Sequence, residues 1–297
     1  MRLAVGLLLL AAVLWKASAR KVLASLAAMD VRLFLAAVLL YGLCQLASSL
    51  RWQLLLSALK LRVGLARLFG LYLVGMFFNQ VLPGSISGDL VKAGALHLET
   101  GRTVEVATSV LLDRLFGLGA LLVLGALGLA AAPPASVRVQ AALWLAGVLF
   151  VGLLAFLRRA LRRTERFRRV LEAIDALSLR SAEVRRAAGV SVVVQAGNVA
   201  VYLLLARALG LALPLPLVLG FYLAVTLAAA LPLSLGGLGV REWTGTAVFA
   251  QASLGSDAAV SLALSWTLAV TLWSLCGGAL FALSGWRRRP PASPTPA

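Results

Sequence analysis

Histidine, cysteine and negative charge are nearly missing from this chain of 297 residues. One histidine (His97) and two cysteines (Cys44 and Cys276, both inside apolar runs) provide neither a Cys/His cluster for zinc or iron nor a disulfide framework. The cysteines read as small core residues, and no metal or other cofactor is expected. Charged residues make up 13% of the sequence and only 11 are acidic, against about 25% charged in a soluble domain. No G-x-x-x-x-G-K-[ST] loop occurs, so ATP is not expected to drive anything through this chain. Nor is there a D-D-x-x-D run, an H-E-x-x-H or a Ser/His pair, so no catalytic residues are assigned and no enzyme is expected.

What the sequence has in abundance is apolar length. It is 61% hydrophobic with mean hydropathy +0.96. Apolar runs fall at 3–15, 33–56, 68–82, 106–131, 139–157, 188–209, 215–231 and 258–283. Crossing the hydrocarbon core takes about 20 residues, so several are long enough and others are short. The run at 3–15 resembles a signal peptide in length, yet no convincing cleavage site precedes a soluble domain, which favours an uncleaved first helix. The expected class is an all-α integral membrane protein of about six to eight transmembrane helices, with one membrane domain over 1–286.

The net charge of +17 would suggest nucleic acid in a soluble protein. Here the bases lie between apolar runs and near their ends, where they set orientation and attract anionic lipid, and no nucleic-acid partner is expected. Residues 158–186 hold ten arginines and four acids with leucines at helical spacing, which reads as a basic amphipathic helix at the cytoplasmic surface. The cluster Arg51, Lys60, Arg62, Arg67 and the run Arg287–Arg289 fall on the same side by the same rule, with Lys16, Arg20 and Lys21 as exceptions. Residues 18–30 form a short amphipathic stretch suited to a membrane surface, and the basic, proline-rich tail 287–297 is expected to be disordered.

Two segments break the apolar pattern and resemble each other: LPGSISGDLVK at 82–92 and LPLSLGGLGVRE at 231–242. Both open with L-P-x-S, continue with an aliphatic residue and glycine, and end with an acid near a base. Pro83, Gly84, Gly88, Pro232, Gly236, Gly237 and Gly239 interrupt the helix and free backbone groups that lipid cannot satisfy, so such backbone must be buried in protein or line a wet cavity. Paired broken segments in corresponding halves point to a transporter's binding site, and the new helix start in each would present N–H groups to an anion. Two readings stand side by side: two re-entrant broken helices forming an internal repeat, or two interfacial loops sharing L-P-x-S.

Asp89, Asp113 and Glu242 lie within or against apolar runs, each with a base nearby: Lys92, Arg114 and Arg241. Adjacent residues on a helix diverge by about 100°, so Asp113–Arg114 and Arg241–Glu242 should pair with groups elsewhere. Such charges either face a cavity or lock helices as ion pairs. Asn79 is positioned to hydrogen-bond freed backbone near Pro83, and Arg51–Trp52 reads physically as an interfacial anchor pair. Gln195 and Asn198, one turn apart, either glue helices or line a cavity. His97 is assigned nothing.

The runs FFNQVLPGSISGDLVKA (77–93), SVLLDRLFGL (109–118), Arg51–Trp52 with the following leucines, and LPLSLGGLGVREW (231–243) together resemble the lysylphosphatidylglycerol synthase transmembrane region, a flippase-like family also called UPF0104. The resemblance spans nearly the whole chain. It implies a lipid-handling membrane domain with re-entrant helices around a cavity, and marks Arg51, Asn79, Asp89, Lys92, Asp113, Arg114, Arg241 and Glu242 as substrate-binding. In that reading the bases attract a lipid phosphate, while the acids hold the bases or meet a cationic head group. One departure is Gln80, where many relatives carry a second asparagine. The family's best-known members precede a soluble aminoacyl-transfer domain; this sequence stops at Ala297, so a member without the synthase half is expected. The expected function is movement of an anionic or aminoacylated phospholipid, or a polyprenyl-phosphate-linked lipid, across the inner (plasma) membrane. The alternative is a non-transporting partner of a lipid- or glycan-modifying enzyme.

Overall fold

The computed structural model describes residues 18–82, 87–130, 165–175, 181–230 and 239–283. Among the described residues every regular element is a helix: α1 (Ala19–Ala27), α2 (Val31–Ala58), α3 (Leu65–Val81), α4 (Ser87–Thr100), α5 (Thr103–Ala130), α6 (Glu165–Asp175), α7 (Ala182–Ala208), α8 (Leu215–Ala230), α9 (Val240–Gln251) and α10 (Ser256–Leu283). Four of them, α2, α5, α7 and α10, are long and apolar enough to cross a membrane, and α3 and α8 are shorter apolar helices. The chain is an all-α, multi-pass membrane protein. The expected runs at 3–15 and 139–157 and the tail 287–297 lie outside the described residues, as do Pro83, Gly84, Pro232, Gly236 and Gly237. Of the basic stretch 158–186, α6 and the start of α7 are described.

Side chains are distributed as lipid demands. The exposed stripe of α2 is Leu35, Leu39, Leu43, Leu46 and Leu50, while Tyr41, Gln45, Ser48 and Arg51 are buried. Polar groups face inward because hydrocarbon cannot hydrogen-bond them. Small residues admit close packing: Gly42 lies against Trp273, Gly197 against Cys44 Sγ, and Gly277 against the backbone of Leu73 and Val74. Asp30 starts α2 by accepting from Arg32 N (2.8 Å) and Leu33 N (3.2 Å). The amphipathic stretch at 18–30 is α1, which docks on the start of α10: Ser18 N donates to Asp257 Oδ1 (2.8 Å), Lys21 pairs with Asp257 at 3.8 Å, and Val22 buries against Val260.

The second half repeats the first. Helices α2 to α5 run 28, 17, 14 and 28 residues, and α7 to α10 run 27, 16, 12 and 28. Loops 59–64 and 209–214 turn at the same place, through Lys60 (φ 60°) and Gly210 (φ 73°). Each is closed by a bond back to the helix, Leu61 N to Leu56 O and Leu211 N to Ala206 O, the left-handed helix ending that glycine favours. The turns into α5 and α10 pass likewise through Gly101 (φ 67°) and Ser253 (φ 55°).

The halves run in opposite directions. Helix α2 packs antiparallel on α7, with Asp30 N donating to Ala208 O (2.9 Å) at one end and Cys44 against Gly197 midway. In each half the two middle helices form a hairpin. Gly75 of α3 meets the Gly88 backbone of α4, and Gly245 of α9 meets Phe221 of α8. Each hairpin also leans on the opposite half: α3 on α10, where Gln80 Nε2 donates to Ser274 Oγ (3.1 Å), and α8 on α5, where Leu219 and Leu223 fill the spaces left by Gly128 and Gly125. The helices that flank the two broken segments thus occupy equivalent places in two inverted repeats, while the breaks themselves, 83–86 and 231–238, lie outside the described residues.

Candidate lipid site

Antiparallel hairpin packing brings α2, α3, α4 and α5 together around five ionisable side chains. Arg51 Nε lies 2.7 Å from Asp113 Oδ1. Lys92 Nζ bridges Asp113 Oδ2 (3.5 Å) and Asp89 Oδ1 (3.0 Å), and Arg114 Nε pairs with Asp89 Oδ2. Base and acid alternate along the whole chain of contacts, which is how charges become tolerable at membrane depth. As their divergence on α5 requires, the neighbours Asp113 and Arg114 look to different partners. Four of the five are buried, while the Arg114 side chain is 48% exposed and stands at the mouth.

Aromatic groups complete the cluster. Tyr72 OH donates to Asp113 Oδ2 (2.8 Å) and accepts from Arg51 Nη2 (3.4 Å). Lys92 Nζ sits 4.2 Å from the Tyr72 ring centroid and 4.8 Å from that of Trp52, within cation–π range. Trp52 is fully buried and its Nε1 donates to Ser109 Oγ (2.9 Å). The interfacial-anchor reading of Arg51–Trp52 is therefore corrected: both sit inside the bundle, because each finds an inward partner that compensates its polar group. Gly117 makes room for this, since a Cβ there would stand 3.2 Å from Arg51 Nη1.

The break between α3 and α4 is stabilised as the sequence suggested. Asn79 Oδ1 accepts from Gly88 N (2.8 Å), satisfying an orphan donor at the start of α4. Gly88 is obligatory, because a Cβ would run into the Gly75 carbonyl. The second break uses a different device. Gly239, at φ 80°, precedes α9, and Glu242 Oε2 accepts from Gly239 N (2.7 Å). Glu242 is wholly buried and turned back onto its own helix, away from the charge cluster. Arg241 is also outside the cluster, its buried Nε having no hydrogen-bond partner; it lies in electrostatic range of Tyr41, Tyr202 and Tyr222. Of the eight substrate-binding candidates, the structure gathers Arg51, Asp89, Lys92, Asp113 and Arg114, places Asn79 at their edge, and sets Arg241 and Glu242 apart.

The cluster forms one wall of a cavity of about 410 Å³. Its other walls come from both halves. Counted from the matching loops, Gln45 is equivalent to Gln195, Ser48 to Asn198 and Tyr72 to Tyr222, and all six line the cavity. Gln195 Nε2 donates to Gly117 O (2.6 Å) and its Oε1 accepts from Tyr222 OH. The cavity therefore straddles the pseudo-two-fold axis. Sequence reasoning missed Tyr72 and Tyr222, since a tyrosine in an apolar run looks like core. Their similar spacing from the two L-P-x-S motifs, ten residues before Leu82 and nine before Leu231, was the available signal. His97 faces Thr103 at 3.1 Å, outside the site. Among the described residues no three His, Cys, Asp or Glu side chains gather as a metal site requires.

Comparison with known proteins gives one family. The model of the lysylphosphatidylglycerol synthase TM region matches residues 1–278. No curated protein matches, and no solved structure matches.

Proposed function

The chain belongs to the lysylphosphatidylglycerol synthase transmembrane-region family, and from that membership we propose that it moves a phosphate-bearing lipid across the bilayer. The observation that carries the reading is the cavity on the pseudo-two-fold axis with Arg51, Lys92 and Arg114 along one wall. Ionised groups at membrane depth mark substrate pathways, and a site between inverted repeats, built on broken helices, is the arrangement that secondary transporters use. A lipid phosphate at the mouth would exchange its hydration for the Arg114 guanidinium first, then for Lys92 and Arg51 deeper in. With no nucleotide-binding loop in the sequence, movement is passive or coupled to ions.

The cavity's charged end lies near the face that carries Lys60, Arg62, Arg67, Arg102, Arg185 and Arg186, to which α6 also belongs through Ile174, packed against Leu55, Leu112 and Ala187. By the positive-inside rule we assign that face to the cytoplasm of a plasma membrane. The test is lipid crossing in proteoliposomes holding the purified protein and head-group-varied fluorescent phospholipids, with the outer leaflet bleached chemically. Crossing of anionic lipids that is lost in Arg51→Gln and Lys92→Met supports transport. No crossing of any lipid, polyprenyl phosphates included, favours instead a non-transporting partner of a lipid- or glycan-modifying enzyme.

A further inference from the structure

The cavity has two ends of opposite chemistry. Arg51 marks the charged end, and Gln45 lies less than two turns before it on α2, about 9 Å at 1.5 Å per residue. The inner end is lined by Tyr41, Gln45, Ser48, Gln195, Asn198 and Tyr222, none of which carries charge. Asn198 is 9% exposed and its Oδ1 has no hydrogen-bond partner. The neighbouring amide of Gln195 is engaged with Gly117 O and Tyr222 OH, and no bond from it reaches Asn198 Oδ1. A buried acceptor without a partner is costly to leave unmade, and one that lines a cavity calls for a donor from a ligand.

The identity of that donor follows from charge. The carboxylates on the cavity wall are Asp89 and Asp113, and each already holds two cations. The charged side chain whose field acts on Tyr41 and Tyr222 is Arg241, itself a cation. An ammonium group reaching the inner end would find no counter-ion and a repelling neighbour, whereas a hydroxyl needs neither. The Tyr41 and Tyr222 side chains add amphipathic ring surface against which C–H faces pack.

Resting on the lipid-site reading above, the geometry points to a head group that is neutral and hydroxyl-bearing beyond its phosphate: a glycerol or a sugar on a phosphodiester, rather than an amine. The phosphate takes the Arg51–Lys92–Arg114 end, and the hydroxyls donate to Asn198 Oδ1 and exchange bonds with Gln45 and Ser48. A glycerophospholipid and a polyprenyl-phosphate sugar share this chemistry.

The test is competitive lipid binding to the full chain by native mass spectrometry. Its arms are phosphatidylglycerol, phosphatidylinositol, a polyprenyl-phosphate hexose, phosphatidic acid and lysylphosphatidylglycerol. Two neutral hydrogen bonds predict about tenfold tighter binding of the hydroxylated lipids than of phosphatidic acid, and the arm that binds best names the source. Asn198→Ala lowers those lipids to the level of phosphatidic acid, and Asn198→Asp turns the preference toward the lysyl lipid; thermal melting checks that both variants fold. If wild type binds phosphatidic acid or the lysyl lipid at least as well, while Arg51→Gln still loses all binding, this inference falls and the lipid site stands. If no lipid binds, both fall.

Discussion

Asp113→Asn removes one charge and keeps the shape, so it isolates what the acid does for the cluster. Asp113 receives Arg51 Nε at 2.7 Å, Lys92 Nζ at 3.5 Å and Tyr72 OH at 2.8 Å, all from side chains with almost no exposure except the tyrosine. The amide leaves three cations facing Asp89 alone. Breaking a buried pair from one side costs about 3–5 kcal/mol, which for a chain of this size is a melting shift on the order of 10 °C. Glu105→Gln supplies the comparison, because Arg102–Glu105 is the same kind of pair at 2.7 Å with side chains 46% and 26% exposed, where about 0–1 kcal/mol is expected. The assay is thermal melting of purified variants in one detergent, followed by tryptophan fluorescence. Unfolding in detergent is scan-rate dependent, so the variants are compared at one rate. Adding Arg51→Met to Asp113→Asn should cost less than the two single changes summed, since each change removes the other's partner. Equal shifts for Asp113→Asn and Glu105→Gln would refute the reasoning, as would strict additivity with Arg51→Met.

Asn79→Ala frees Gly88 N and should lower stability by about 1 kcal/mol, with Asn79→Asp retaining most of it; melting distinguishes them. Gly88→Val should prevent the α3–α4 hairpin from closing, read as loss of monodisperse protein on size exclusion, because the clash is with the Gly75 backbone. At the matched loops, Lys60→Gly should stabilise by up to about 1 kcal/mol while Gly210→Ala destabilises by a similar amount, since both positions have positive φ. If the two substitutions act in the same direction, the equivalence of the loops is lost. Gln195→Leu removes two buried hydrogen bonds, to Gly117 O and from Tyr222 OH, and should cost about 1–3 kcal/mol in the same melting assay.

Membrane class, the long spans and the existence of two broken segments were legible in the sequence because each rests on a local property: length of apolar run, or proline and glycine inside one. The repeat was visible only through L-P-x-S. The correspondences that carry it in space, Gln45 with Gln195 and Tyr72 with Tyr222, are buried among apolar residues and carry no local signature. Pairing was legible in part. Divergence on a helix correctly separated Asp113 from Arg114, yet it could not say that Arg51 would be Asp113's partner, since that depends on how α2 meets α5. The same ignorance of packing made Arg51–Trp52 look like an anchor at the membrane surface. Arg241–Glu242 shows the converse: the acid sits where a cavity residue would, but a helix start three residues long in sequence claims its carboxylate for Gly239 N.

The five members of the ion cluster all fall between Arg51 and Arg114, within the first of the two inverted halves. The ribosome therefore delivers every member of this cluster before it makes α7. An emerging chain that places three cations and two acids in a membrane can neutralise them within the part already synthesised, instead of holding them exposed until the second half arrives. The later half brings Gln195, Asn198, Tyr222 and Thr226, which close the opposite wall of the cavity without adding charge to it. For the cavity wall, the order of synthesis thus runs from charged groups to neutral ones, and the lining is complete once α8 has brought Tyr222, Thr226 and Leu227 into place.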